Sequence, residues 1–175
     1  SSLREITLQG GSFGNKRVSG DFDHPLGNRF AFRVNGLYEN SDSFRDGFNL
    51  ERYGVNPTAT FVVSPRTAVK LSYEYFHDGR TADRGIPSFQ GRPVDVPIET
   101  FFGDPDNSRA RVGVNLASAS VDHQAGRFNI RNRTMFGDYD RFYQNYVPGA
   151  VTSDKSQVAI SAYNNATQRQ NLFNQ

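Results

Sequence analysis

Strict alternation of apolar and polar residues is the feature of this sequence that most limits what it can fold into. In Tyr53-Gly54-Val55-Asn56-Pro57-Thr58-Ala59-Thr60-Phe61-Val62-Val63 the odd positions are apolar, aromatic or proline, and the even ones small or polar until Val62. A turn at Ser64-Pro65-Arg66 follows, and Val69-Lys70-Leu71-Ser72-Tyr73-Glu74-Tyr75 repeats the pattern. Successive side chains of a strand point to opposite faces, so a period of two marks a strand with two unlike faces. Two such runs across a tight turn make a hairpin.

The same period recurs along the chain. Ile6 and Leu8, then Val18, Gly20 and Phe22, then Phe30, Phe32, Val34 and Gly36 each occupy one face of their segment. Ala110, Val112, Val114 and Leu116 do so further on, as do Phe128 and Ile130, while a weaker run begins near Val158. Eight sequential antiparallel strands are predicted: Leu3–Phe13, Lys16–Asp23, Arg29–Glu39, Glu51–Val63, Thr67–Phe76, Ser108–Val121, Phe128–Phe136 and Val158–Leu172. Neighbours joined by short turns must pair with each other.

The connections alternate in length. His24–Asn28, Ser64–Arg66 and Asp122–Arg127 are tight, whereas Asn40–Leu50, Asp78–Asn107 and a stretch within Gly137–Gln157 are long. Short turns on one rim and long loops on the other are the layout of an outer-membrane β-barrel. The polar face suits a hydrated lumen. It is read as carrying Arg17, Arg33, Arg52, Lys70, Arg109, Arg111, Arg131 and Arg133 against Glu5, Asp21, Asp23, Glu39 and Glu74. The apolar face holds Phe30, Phe61 and Phe128 near the short turns and Tyr38, Tyr53 and Tyr75 near the long loops, as two interfacial girdles would. A soluble sandwich with one wet face also alternates, and stays open as an alternative.

Composition excludes several classes. Among 175 residues there is no Cys, which removes disulfide scaffolds, thiolate metal sites and cysteine nucleophiles. Twenty basic against 18 acidic residues leave +2, without the basic stripe of a nucleic-acid binder. No run approaches the roughly 18 to 20 apolar residues of a membrane helix, so the chain is not a helical membrane protein, and a β-barrel remains.

Short motifs then point to a family. Asp83-Arg84-Gly85-Ile86-Pro87-Ser88, Thr100-Phe101-Phe102-Gly103-Asp104-Pro105, Arg131-Asn132-Arg133-Thr134, Gly137-Asp138-Tyr139 and Ala162-Tyr163-Asn164-Asn165-Ala166-Thr167 resemble segments of TonB-dependent ferric-siderophore receptors, especially the catecholate-type branch. The resemblance covers essentially the whole chain. It implies that residues 1–175 are the N-terminal third of a 22-stranded up-and-down transmembrane barrel, with the plug domain and later strands outside them. It further implies a bacterial outer-membrane location and import of ferric siderophores with energy from TonB. The implied partners are the siderophore, outer-membrane lipid, the plug, the remaining strands and, through the plug, TonB. Neither a cofactor nor a nucleic-acid partner is expected.

The long connection Asp78–Asn107 is the candidate ligand site, because loops of this length are seldom idle. It offers Arg80, Arg84, Phe89, Arg92, Phe101 and Phe102. A ferric catecholate complex is anionic and carries flat rings, so guanidinium groups and aromatic faces suit it. The plainer reading is that the arginines pair with Asp83, Asp95 or Glu99 and the rings pack the loop. No catalytic or metal site is expected. Asp23-His24, His77-Asp78 and Asp122-His123 are strand neighbours that point apart, and Asp104-Pro105-Asp106-Asn107 lacks the Gly and distal Glu of a calcium loop. A small closed barrel with a catalytic rim is the enzyme-class alternative, and a carbohydrate-binding sandwich the soluble one.

Overall fold

The computed structural model describes residues 3–175. Eight of its ten strands form one antiparallel sheet: β1 (Arg4–Gly10), β2 (Lys16–Leu26), β3 (Phe30–Asp42), β4 (Asn49–Ser64), β5 (Thr67–Thr81), β8 (Arg109–Ala125), β9 (Phe128–Val151) and β10 (Val158–Asn174). The order is sequential, interrupted only by the two-stranded hairpin β6 (Ser88–Phe89) and β7 (Arg92–Pro93) inside the connection from β5 to β8. The sheet is open, with β1 and β10 at its edges.

The two rims differ as expected. Turns 27–29, 65–66 and 126–127 close one end; loops 11–15, 43–48, 82–108 and 152–157 crown the other. Gly126 takes φ 61° in its turn, a left-handed backbone that glycine adopts without the penalty a Cβ brings.

No second layer covers the sheet. Ala82 is the one buried hydrophobic residue among those described, while Ile6, Val18, Phe22, Phe32, Val55, Phe61, Leu71 and Ile130 lie exposed on one face. A soluble sandwich would bury that face against a partner sheet. This sheet instead presents an apolar exterior, as a barrel wall presents to lipid. The girdles lie where expected: the Phe30 and Phe61 rings are 4.9 Å apart near the short turns, and Tyr53 and Tyr75 6.1 Å apart towards the loops. Phe61 to Tyr53 spans about 26 Å of strand at roughly 3.3 Å per residue.

Directly opposed residues share a face, so the register allocates faces strand by strand. Pairs Gly36 with Val55, Val55 with Tyr75 and Ala59 with Leu71 carry the lipid face across β3 to β5. Tyr75 then opposes Asn115, and the Tyr73 hydroxyl donates to Asn115 Oδ1 at 2.6 Å. Asn115, Arg111 and Arg109 therefore lie on the outer face. Val112 opposes Asp78 and Val114 opposes Phe76, which places them on the lumen side. This reverses the expectation for the upper half of β8. Its alternation changes phase between Leu116 and Ala117: below, Ala117, Ala119 and Val121 face outward, and above, polar residues do. The apolar exterior thus stops at the tyrosine girdle, and beyond it the outer surface is wet.

The same boundary explains why three strands outrun their predicted ends on the loop rim. β9 continues to Val151 rather than stopping at Phe136, β5 to Thr81 and β3 to Asp42, so the long links shorten to 43–48, 82–108 and 152–157. Above the girdle both faces meet water, alternation fades, and only the ladders with neighbouring strands reveal the strand.

Candidate functional site

The lumen face is organised in rungs of directly opposed residues. One rung near the loops reads Arg17, Glu39, Arg52, Asp78, Val112, Arg141 across β2, β3, β4, β5, β8 and β9. Alternating signs on neighbouring strands are the favourable cross-strand arrangement. Arg17 Nη1 lies 3.0 Å from Glu39 Oε2, Arg52 Nε lies 3.7 Å from Glu39 and 3.6 Å from Asp78, and Arg80 Nε closes the chain 2.9 Å from Asp78 Oδ1. Three guanidiniums against two carboxylates leave an excess positive charge just below the mouth.

The next rung down is mostly apolar: Leu37, Gly54, Phe76, Val114 and Tyr139. A Cβ on Gly54 would stand 3.1 Å from the Phe76 ring and 3.0 Å from the Tyr75 carbonyl, so glycine makes room for that ring. Deeper still, a hollow of about 350 Å³ is lined by Glu5, Asp21, Asn35, Asn56, Glu74 and Phe76. Its acidic lining suits an anion poorly.

The mouth holds the candidate residues of loop 82–108. Arg84 is exposed, its guanidinium carbon 5.6 Å from the centre of the Tyr143 ring, and Tyr143 lies 6.1 Å from Tyr163. Both tyrosines sit on the lumen face, opposite Ala110 and Asn145 respectively. Phe89 meets the Lys155 ammonium of loop 152–157 at 5.5 Å, Arg92 is exposed on the small hairpin, and Phe101 and Phe102 are half-buried. Arg80 is therefore engaged with Asp78, whereas Arg84 and Lys155 rest on aromatic faces. Of the carboxylates expected to pair with the candidate arginines, Asp83 is taken by Arg45 at 3.0 Å. Tyr143 lies in none of the quoted motifs, and Tyr163, though within Ala162–Thr167, carried no ligand expectation; their shared face follows from the β9–β10 register.

Two carboxylates on this rim are more acidic than usual. Asn107 donates to Asp104 from its side chain at 2.7 Å and from its amide at 3.1 Å, which with Arg109 nearby holds Asp104 below the usual carboxylate range. In loop 152–157, hydroxyls of Thr152 and Ser156 donate to Asp154 at 2.6 and 2.8 Å, joined by the Ser156 amide, and lower it to about 2. Among the described residues no group of His, Asp and Glu side chains is placed to hold a metal. The Asp–His neighbours split between faces, with His77 stacked on Tyr53 outside and Asp78 in the lumen rung.

A strand array with a lipid-facing apolar band, two aromatic girdles, a charged lumen and loops on one rim is a portion of an outer-membrane β-barrel wall. Comparison with known proteins narrows the class. No family model matches the chain. It is 26% identical over 142 residues to a probable TonB-dependent siderophore receptor, PiuA of Acinetobacter baumannii, covering 75% of this chain and 19% of that protein. It is 26% identical over 115 residues to the metal-pseudopaline receptor CntO of Pseudomonas aeruginosa, covering 65% of this chain and 16% of that one. In structure, 99% of the chain superposes on 30% of the ferric-catecholate import receptor Fiu of E. coli K12 with a TM-score of 0.83 at 24% identity. In sequence the chain is similar to TonB-dependent siderophore receptors, and in fold it matches part of such a receptor of the bacterial outer membrane. It spans under a fifth of the curated relatives' length.

Proposed function

We propose that the chain is a barrel sector of an outer-membrane receptor that imports ferric siderophores using energy from TonB, and that it serves transport, not catalysis. The observation that carries this reading is the match of nearly the entire chain to the barrel of a ferric-catecholate import receptor, joined to a mouth where Arg84, Tyr143 and Tyr163 adjoin on the lumen side. On this reading residues 1–175 are part of a barrel domain whose remaining strands complete the wall. The charged and apolar lumen rungs are the surfaces a plug domain would pack against, and TonB acts through that plug. The ferric siderophore is cargo rather than cofactor.

Arg80, Arg84, Phe89, Arg92, Phe101 and Phe102 remain the proposed ligand-side residues, with unequal roles. Arg84 leads, because its guanidinium lies over an aromatic face and makes no ion pair among the described residues. Arg80 contributes mainly by holding Asp78. Replacing Arg80 and Arg84 together by Ala in the intact receptor should weaken binding of a ferric tris-catecholate complex about three- to tenfold, more at low ionic strength, where exposed charges are least screened. Assembly should stay normal. Titration at two salt concentrations reads this out, and unchanged affinity at both would assign the arginines to loop packing.

A further inference from the structure

Loops 43–48 and 82–108 are joined by one buried side chain. Arg45 has only 8% of its side chain exposed, and its Nε donates to Asp83 at 3.0 Å. Its Nη1 donates to the carbonyls of Thr100, at 3.0 Å, and Ile98. A single guanidinium thus binds both the start of loop 82–108 and the segment before its return to the sheet. A buried cation is tolerated because carboxylate and carbonyls satisfy it, and removing it would leave those acceptors without donors.

Further contacts fasten the same seam. The Asp46 amide donates to the Glu99 carbonyl at 2.8 Å, and Thr81 Oγ1 donates to the Gly47 carbonyl at 3.3 Å. A Cβ on Gly47 would come within 2.7 Å of Pro105, so the two loops touch without space between them. The other side of loop 82–108 is fixed to β9 through Ser108, fully buried against Asn145, which is itself 1% exposed.

We propose that Arg45 is a strut that makes loops 43–48 and 82–108 one rigid body, so that this sector is a fixed wall of the mouth and any motion admitting a ligand belongs to other loops. The inference does not depend on the cargo. Hydrogen exchange on the receptor that carries this chain, without ligand, tests it. Amides of both loops should be protected together, and Arg45→Ala should raise exchange at least tenfold in both while leaving β4 and β5 unchanged. Acceleration of one loop alone would overturn the strut. If Arg45→Ala fails to assemble, spin labels at Asp46→Cys and Asp95→Cys in the otherwise unaltered receptor decide the matter. A single narrow distance distribution supports one body, and a broad or split one overturns it.

Discussion

At the scale of single residues, what decides a role here is whether a polar group has a partner already. Arg80 and Arg84 read identically in the sequence, yet one closes a chain of ion pairs and the other lies on a tyrosine ring. Arg45 gave no signal, because nothing local distinguishes a guanidinium that will meet carbonyls some fifty positions away. Asp154 offers a clean test of local bonding. Its three donors stabilise the ionised carboxylate, so its folded pKa, about 2, lies below the ordinary value of 3.8. A depressed folded pKa means the contribution to the turn is fully present above about pH 4 and is lost as pH falls towards 2. The Ser156 amide, bonded to Asp154 Oδ1 at 3.1 Å, should therefore hold its chemical shift down to about pH 3 and move only below it. Movement centred near pH 4 would show that the hydroxyls do not engage the carboxylate.

At the scale of elements, the strands and their order were legible from the alternation, and the faces of β1 to β5 with them. The upper half of β8 was not. Alternation reports the difference between two environments, and it loses its meaning where the outside turns from lipid to water, leaving Arg109, Arg111 and Asn115 outside and Val112 and Val114 inside. Ala110, Val112, Val114 and Leu116 read as lipid-facing for that reason. The register gives a sharp prediction. Arg in place of Val55 or Leu71 places a charge on the lipid face, at a cost of about 2 to 4 kcal/mol near mid-bilayer, and should lower outer-membrane assembly several-fold. Arg in place of Asn56 or Ser72 should assemble normally, because those side chains bond Glu74 and Ser118 on the lumen side. At Asn115, beside Tyr73 at the girdle, Arg should cost little, since a long cation there reaches water. Heat-modifiable mobility of the receptor in outer-membrane fractions measures all five. Low yields for the Asn56 and Ser72 variants with normal yields for Val55 and Leu71 would mean the faces are reversed, and equal yields across the two sets would mean that neither face meets lipid.

At the scale of the whole molecule, the question is what eight strands do when nothing closes them. β1 and β10 carry unpaired backbone donors and acceptors along their outer edges, and an open edge cannot remain in hydrocarbon, where no water satisfies it. Pairing β1 with β10 would make an eight-stranded barrel, a size whose interior is just wide enough for side chains to fill. The lumen face must then enclose Arg17, Arg33, Arg52, Lys70, Arg131, Arg133, Arg141 and Arg169 together with Phe76, Tyr139 and Tyr143, far more long side chains than such an interior holds. A polypeptide of residues 1–175 refolded alone in detergent should accordingly give no closed monomer. Unheated samples should run as unfolded chain or as aggregates joined through their edges, with no compact band that disappears on boiling. The same segment expressed together with the remaining strands of a receptor barrel should recover that band. A heat-modifiable monomer from residues 1–175 alone would mean that the lumen charges tolerate enclosure, and would reopen the small closed barrel as the architecture.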